Sequence, residues 1–236
     1  MSAIARALGD VRARIEVAAR AAGRDPESVT LVAVSKFHDA AAIREAHAAG
    51  QRDFGESYAQ ELVAKAEALR DLPDLRWHFV GGLQSNKAKY VARIATLVHS
   101  VGSEHVAREL AKRAALAGRA PLDVLVEVNV GGELQKHGVA PADLADVLRA
   151  IRTLSELRVV GLMTIPPDGT REEAAAVFAT LASLRALHGG ASGLPGLSMG
   201  MSGDLEEAIR AGATYVRIGT AIFGERRAGT LTDPTG

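Results

Sequence analysis

The sequence predicts a single (β/α)8 barrel, an α/β fold, preceded by an extra N-terminal helix. Eight short apolar runs alternate with helical patterns along 236 residues, and such alternation is typical of a parallel sheet covered by helices. No Pro/Gly/Ser-rich linker divides the chain, so we expect one domain over residues 1–236, with a flexible tail at 226–236. An open dinucleotide-binding sheet is the main alternative, but no G-x-G-x-x-G follows the first strand.

The elements follow from the spacing of apolar residues. Between Ser2 and Ala22 these residues recur every three or four positions, which predicts an amphipathic helix ahead of the first strand. Strands are then expected near residues 30–35, 52–55, 76–80, 96–101, 122–129, 157–164, 196–199 and 214–218. Helices are expected near residues 39–49, 57–70, 85–95, 104–118, 141–154, 171–188 and 204–211, with a short final helix from about 220.

Composition and charge argue against several classes of function. The 28 basic and 28 acidic side chains balance, so no positive surplus favours nucleic acid or an anionic membrane. The chain has no cysteine and no apolar run long enough to span a bilayer, so we expect a cytoplasmic protein. The 7 histidines show no metal-ligand spacing, so no metal is expected. His78, within an apolar strand, is interpreted as a hydrogen-bonded core residue.

A lysine comes directly after the first predicted strand. The apolar run Thr30–Val34 leads into Ser35 and Lys36. Barrels gather their chemistry at the carboxyl ends of their strands, and a primary amine can form an imine with an aldehyde. A lone lysine here would be interpreted as a solvated strand end, so Lys36 gains its interest from other parts of the chain.

Two loops late in the chain have the character of a phosphate site. Arg217 lies at the end of the eighth predicted strand, and Gly219 and Thr220 follow it before a short helix. In the seventh loop, Ser198 and Ser202 stand among glycines. Glycine allows close backbone approach, while free amides and hydroxyls bind anions. Because the eighth strand of a barrel pairs with the first, this site would neighbour Lys36. Pyridoxal 5′-phosphate or a sugar phosphate held by a Schiff-base aldolase would suit both groups.

Six ordered segments resemble one known family over nearly the whole chain. They are AVSKFH around Lys36, FGESYAQEL (54–62), WHFVGGLQSNKAK (77–89), GLMTIPP (161–167), LSMGMSGDLEEAI (197–209) and VRIGTAIFG (216–224). Together they are similar to the pyridoxal phosphate homeostasis proteins. The fold implied by the resemblance is the barrel of alanine racemase without its second, β-rich domain.

The resemblance implies a set of cofactor-binding residues. Lys36 would carry pyridoxal 5′-phosphate as an aldimine, and Arg217 would face the pyridine nitrogen. The phosphate would lie on Ser202, Gly219 and Thr220. Ser57, Met163 and Ser198 complete the expected site, although the family usually has asparagine where this chain has Ser57. Serine has fewer donors than asparagine, so this contact could pass through water or be lost, and Ser57 could instead be the N-cap of the next helix. Ser85 is likewise interpreted as a cap.

Three functions remain open at this point. A cofactor-binding and delivery protein, releasing pyridoxal 5′-phosphate to apo-enzymes and showing no robust turnover, is the leading hypothesis. A small racemase-like enzyme would need a second base, for which Tyr58, Tyr90 and Tyr215 are available. An aldolase would need an acid or base beside the lysine, and Lys136 is interpreted instead as a solvated loop residue. The oligomeric state and the recipients of the cofactor are left open.

Overall fold

The computed structural model describes residues 2–133 and 137–225, which form a closed barrel of eight parallel strands in sequence order. The last strand returns to the first, with Thr30 beside Tyr215 and Val32 beside Arg217. The predicted α/β barrel with an N-terminal helix is therefore confirmed. Lys136 and the predicted tail at 226–236 lie outside the described residues.

The strands and helices agree with the predicted order. The strands are β1 (Thr30–Val34), β2 (Asp53–Glu56), β3 (Arg76–Phe79), β4 (Leu97–Val101), β5 (Leu122–Glu127), β6 (Leu157–Met163), β7 (Gly196–Ser198) and β8 (Tyr215–Ile218). The helices are α1 (Ala3–Ala21), α2 (Ala40–Ala48), α3 (Ala59–Ala68), α4 (Ala88–Ile94), α5 (Glu104–Leu116), α6 (Leu144–Arg152), α7 (Arg171–Leu187), α8 (Gly190–Gly193), α9 (Leu205–Arg210) and α10 (Thr220–Phe223). The sequence did not predict α8, because its four residues Gly-Ala-Ser-Gly carry no apolar period.

Polar caps begin several of the helices. The side chains of Ser2, Asp39 and Ser103 each accept a hydrogen bond from a backbone N–H of the first turn that follows. Thr170 and Glu173 form a reciprocal capping box at the start of α7. The alternative that Ser57 caps α3 is wrong, because Tyr58 directly precedes that helix. The interpretation of Ser85 as a cap is also wrong, because Ser85 is the first residue of a short 3₁₀ turn that Gln84 precedes.

Alternation along the strands separates two layers of side chains. Residues such as Leu31, Ala33 and Phe54 belong to the large apolar cluster formed with the helices. Leu97, Leu125 and Met163 form a separate small cluster, which lies inside the barrel because successive strand residues point to opposite faces. Among the described residues, no helix is long and apolar enough to cross a membrane.

Candidate functional site

Lys36 and the eighth loop meet at the carboxyl end of the barrel. Lys36 is exposed in the turn that follows β1, and Gly219 and Thr220 follow β8. These three residues line one cavity of about 220 Å³, together with Val34, Phe37, His38 and Gly224. The structure thus brings the predicted amine and part of the predicted phosphate loop into one space.

The turn carrying Lys36 has an unusual backbone. Phe37 is the one non-glycine residue with positive φ, 67°, in the described part of the chain, a conformation that glycine adopts more readily. The Phe37 ring lies 5.3 Å from the Tyr58 ring, and the His38 ring stacks at 5.1 Å on Phe223 of α10. Contacts on both sides therefore support a backbone shape that the local sequence disfavours.

Gly219 lets β8 end close to the Lys36 turn. A Cβ atom at this position would lie 3.1 Å from the carbonyl oxygen of Val34, tighter than ordinary van der Waals contact. The helix α10 begins at Thr220, so its first N–H groups have no acceptor within the helix. These amides and the exposed Thr220 hydroxyl form a donor set that suits an anion.

Hydrogen bonds join the loop after β7 to β8 and to α1. The N–H of Arg217 donates to the carbonyl oxygen of Gly200 at 2.9 Å, and Gly200 has φ +92° with the Ala208 Cβ only 2.5 Å from where its own Cβ would be. Ser202 is partly exposed in this loop. Its carbonyl oxygen accepts from Nη2 of Arg14 at 3.1 Å, which ties the loop to α1.

Arg217 is buried inside the upper part of the barrel. Only 5% of it is exposed, and its guanidinium donates to Oγ of Ser198 at 2.6 Å and to the carbonyl oxygen of Thr164 at 3.1 Å. Burial lowers the pKa of Arg217 to about 10, against the opposing charges of Glu127 and Asp204. The side chain is still a cation at neutral pH, and two hydrogen bonds fix its direction.

A chain of hydrogen bonds runs from Arg217 through the barrel interior. Ser198 Oγ lies 2.7 Å from His99 Nδ1, His99 Nε2 lies 2.9 Å from His78 Nδ1, and His78 Nε2 lies 2.9 Å from Asp53 Oδ1. Burial, with the neighbouring charges of His78 and Arg217, holds the pKa of His99 well below its usual value. The interpretation of His78 as a hydrogen-bonded core histidine is confirmed.

Three other predicted site residues, Met163, Ser198 and Ser57, do not line the cavity that contains Lys36. Met163 and Ser198 are fully buried, so they support the site from inside the barrel rather than line its opening. Ser57 is partly exposed after β2, and its backbone lies against Gly81, where a Cβ would come within 2.1 Å of the Ser57 carbonyl oxygen. These contacts leave the roles of Met163, Ser198 and Ser57 toward a cofactor as predictions.

Sequence reasoning missed a buried charged cluster beside Lys36. Glu56, Glu61 and Lys65 form it, and Nζ of Lys65 lies 2.7 Å from an oxygen of each carboxylate. Burial raises the pKa of Glu56 to about 7, while the Lys65 ammonium opposes the shift. The only signal in the sequence was a charged residue, Glu56, at the end of a short buried strand.

Glu127 is a second charged residue that the sequence analysis did not single out. Its Oε2 atom is buried without a hydrogen-bond partner among the described residues. Burial raises the pKa of this carboxyl, whereas the nearby charges of His137 and Arg217 lower it. The polar interior therefore extends from β8 to β5.

The donor set fits pyridoxal 5′-phosphate better than a metal ion. Lys36 offers an amine for an aldehyde, the amides and hydroxyl at Thr220 suit a phosphate, and Arg217 offers a fixed cation. Within residues 2–133 and 137–225, no group of three His, Asp or Glu side chains could hold a metal. An aldehyde that carries a phosphate matches these groups.

Comparison with known proteins gives consistent results. The family model for the alanine racemase N-terminal domain matches residues 7–227. A pyridoxal phosphate homeostasis protein of Pseudomonas aeruginosa is 52% identical over 227 residues, which cover 96% of this chain and 97% of that protein. PipY of Synechococcus elongatus, in a structure with PLP bound, has a TM-score of 0.79 and 41% identity, covering 94% of this chain and all (100%) of that one.

Alanine racemase of Corynebacterium glutamicum is similar in fold alone. Its TM-score is 0.66 at 21% identity, covering 97% of this chain and 63% of that chain. The similarity therefore spans the barrel of a longer protein.

Proposed function

We propose that this chain, which belongs to the family of pyridoxal phosphate homeostasis proteins, binds pyridoxal 5′-phosphate at the carboxyl end of its barrel and serves intracellular supply of the cofactor. The observation that carries this proposal is the single cavity lined by Lys36, Gly219 and Thr220. The absence of cysteine supports a place in the cytoplasm.

Each part of the site has a separate task in this proposal. Lys36 would hold the cofactor through its amine, because a primary amine can condense with an aldehyde to an imine with loss of one water. The Gly219–Thr220 backbone, the Thr220 hydroxyl and Ser202 bind the phosphate through charge-assisted hydrogen bonds. Arg217 would supply the cation for the ring nitrogen, and Ser57, Met163 and Ser198 would complete the surroundings of the cofactor.

The character of Arg217 supports a carrier rather than an enzyme. A cation beside the pyridine nitrogen disfavours protonation of that nitrogen, so the ring becomes a weaker electron sink for carbanion chemistry. Racemisation also needs a second base on the opposite face of the cofactor. Tyr90 lies on the outer helix α4, and Tyr215 is packed against His78 and His99. These positions do not favour either tyrosine as the second base.

One observation keeps a racemase-like activity as the second candidate. The ring of Tyr58 lies 5.3 Å from that of Phe37, the residue after Lys36, so Tyr58 lies beside the turn that carries the proposed covalent site. An aldolase has no comparable support, because no carboxylate or second lysine among the described residues lines the cavity with Lys36.

Absorbance titration and borohydride trapping test the binding proposal. Adding pyridoxal 5′-phosphate should produce a yellow protein, and reduction followed by peptide mapping should place the pyridoxyl group on Lys36. Lys36→Ala should abolish the colour without loss of fold, whereas Lys89→Ala, an exposed lysine on α4, should behave as wild type. Trapping on Lys87 or Lys89 instead of Lys36 would refute the assignment.

Two further assays separate a carrier from an enzyme. The loaded protein should restore activity to an apo-enzyme that depends on pyridoxal 5′-phosphate. It should not exchange the α-hydrogen of L-alanine for solvent deuterium over many turnovers. Sustained exchange that disappears in both Lys36→Ala and Tyr58→Phe would favour the racemase-like alternative.

A further inference from the structure

Lys36 is joined to the chain by two peptide groups, and a charged side chain holds each of them. Nζ of Lys65 donates to the carbonyl oxygen of Ser35 at 2.7 Å, which belongs to the peptide before Lys36. Oε2 of Glu61 accepts from the N–H of Phe37 at 2.9 Å, which belongs to the peptide after Lys36. Because peptide groups are planar, fixing both planes fixes φ and ψ of Lys36 and the direction of its Cα–Cβ bond.

Lys65 and Glu61, which bind these two peptide groups, also bind each other and the end of β2. The ammonium of Lys65 donates to Glu61 Oε2 and to Glu56 Oε1, each at 2.7 Å. With Ser35, these acceptors use all three of its N–H donors. Oγ of Ser35 donates to the same Glu56 oxygen at 2.6 Å, so Glu56 anchors the cluster to the end of β2.

Burial makes this cluster stiff. The exposed fractions of the side chains of Lys65, Glu56 and Glu61 are 8%, 0% and 11%. In a site that excludes water, charge-assisted hydrogen bonds are stronger and shorter than neutral ones. Three such bonds from one ammonium therefore leave little freedom to the backbone that they hold.

Stability alone does not account for a buried charged cluster. Burying ions has a large desolvation cost, and apolar residues of similar volume often stabilise a protein as well or better. The backbone at Phe37 has φ 67°, so this turn needs restraints from outside its own sequence. The cluster supplies them at the two peptide groups that orient Lys36.

We propose that Glu61 and Lys65, anchored by Glu56, are positioning residues that hold the Lys36 side chain toward the cavity it shares with Gly219 and Thr220. This inference rests on the proposed function, in which the Lys36 amine bonds to the cofactor aldehyde. None of the three cluster residues lines that cavity, so their effect passes through the backbone of the turn.

Glu61→Ala is the principal test, with Glu67→Ala as its matched control. Both residues lie on α3, but the side chain of Glu67 is 72% exposed and pairs only with exposed Arg70 among the described residues. In the cofactor-free protein, amide hydrogen exchange at Phe37 should accelerate in Glu61→Ala and remain at the wild-type rate in Glu67→Ala. This readout requires no cofactor.

The second readout separates covalent bonding from binding. Formation of the bond to pyridoxal 5′-phosphate should slow on the order of tenfold to a hundredfold in Glu61→Ala, because a displaced nucleophile loses its productive alignment. The affinity for pyridoxine 5′-phosphate, which has an alcohol in place of the aldehyde, should stay near that of wild type. Glu61→Gln, which keeps an oxygen acceptor for the Phe37 N–H, should restore part of the rate.

Several outcomes would overturn the positioning role. The role would be overturned if Glu61→Ala kept the wild-type rates of Phe37 amide exchange and of bond formation. It would also be overturned if a folded Glu61→Ala lost affinity equally for pyridoxal 5′-phosphate and pyridoxine 5′-phosphate. If circular dichroism shows that Glu61→Ala does not fold, Lys65→Met and Glu61→Gln decide, and wild-type rates in both would overturn the role. A wild-type protein that forms no bond at Lys36, while Phe37 stays protected, would instead refute the proposed function.

Discussion

Nη1 of Arg217 lies 2.6 Å from Oγ of Ser198, and this contact sets the direction of every hydrogen bond behind it. A guanidinium can only donate, so Ser198 accepts from Arg217 and is free to donate its own proton to His99. At the far end, the carboxylate of Asp53 only accepts, so His78 donates to it through Nε2. Every hydrogen bond in this series therefore donates in the same direction, from Arg217 toward the carboxylate of Asp53.

The first prediction concerns the tautomers of the two histidines. When His78 is neutral, both His78 and His99 should carry their proton on Nε2, because His99 Nδ1 accepts from Ser198 and His78 Nδ1 accepts from His99. Nitrogen-15 NMR of the cofactor-free protein at pH 8 measures this directly. Finding the proton of His99 on Nδ1 would contradict the proposed direction.

Ser198→Ala should cost about 1–3 kcal/mol in the free energy of unfolding, because buried partners lose a hydrogen bond.

The second prediction concerns the shape of the Arg217 side chain. Arg217→Lys keeps the positive charge but cannot reach Ser198 Oγ and the Thr164 carbonyl with a planar fork. We expect the free energy of unfolding to fall by about 1–3 kcal/mol and the absorption of the loaded protein to shift. Denaturant unfolding and a visible spectrum measure the two effects. Arg93→Lys, on an exposed position of α4, is the control, and equal behaviour of the two variants would refute the prediction.

The third prediction concerns the phosphate site at Thr220. Thr220→Val should weaken binding of pyridoxal 5′-phosphate by roughly tenfold to a hundredfold, since a hydrogen bond to a charged group contributes about 1.5–3 kcal/mol. Binding of pyridoxal, which lacks the phosphate, should change little. Titration with both ligands measures the ratio of affinities. Thr180→Val, an exposed position on α7, should leave that ratio unchanged, and an unchanged ratio in Thr220→Val would remove the basis for this site.

The fourth prediction concerns the pH dependence of stability. Burial raises the pKa of Glu56 from 4.5 to about 7, so between these values the folded chain holds a proton that the unfolded chain has released. The contribution of Glu56 is therefore favourable at acid pH and is lost as the pH rises toward 7. The free energy of unfolding should fall over this range by on the order of 3 kcal/mol.

Denaturant unfolding from pH 5 to pH 8 tests this slope. Glu56→Gln should flatten it, because glutamine has no proton to lose. Glu67→Gln, with its exposed side chain, should keep the wild-type slope. A wild-type slope in Glu56→Gln would show that other groups set the pH dependence.

The sequence predicted the barrel because the signal is local. Strand and helix periods are written in neighbouring residues, and eight alternating units of this kind close into a barrel. Closure also brings the end of β1 beside the end of β8, so the sequence predicts that Lys36 lies next to Gly219 and Thr220. The shared cavity agrees with that placement.

The interior polar chain was beyond the reach of the sequence. Periodicity predicts which face of a strand is buried, but His99 and Ser198 are 99 positions apart, and their contact depends on register and side-chain direction across the barrel. The sequence could only mark His78 as a buried, hydrogen-bonded residue. It could not name Asp53 and His99 as its partners.

What the sequence by itself determined was the order of the elements and the family, and it predicted the two ends of the proposed cofactor site. Only the tertiary structure decided how Lys36 is held. A lysine on a helix is most often solvated, yet Lys65 is buried because α3 packs its ammonium against the Ser35 carbonyl and two carboxylates. The physical reason is that such a contact depends on distances in space between residues far apart along the chain, and local sequence patterns do not encode those distances.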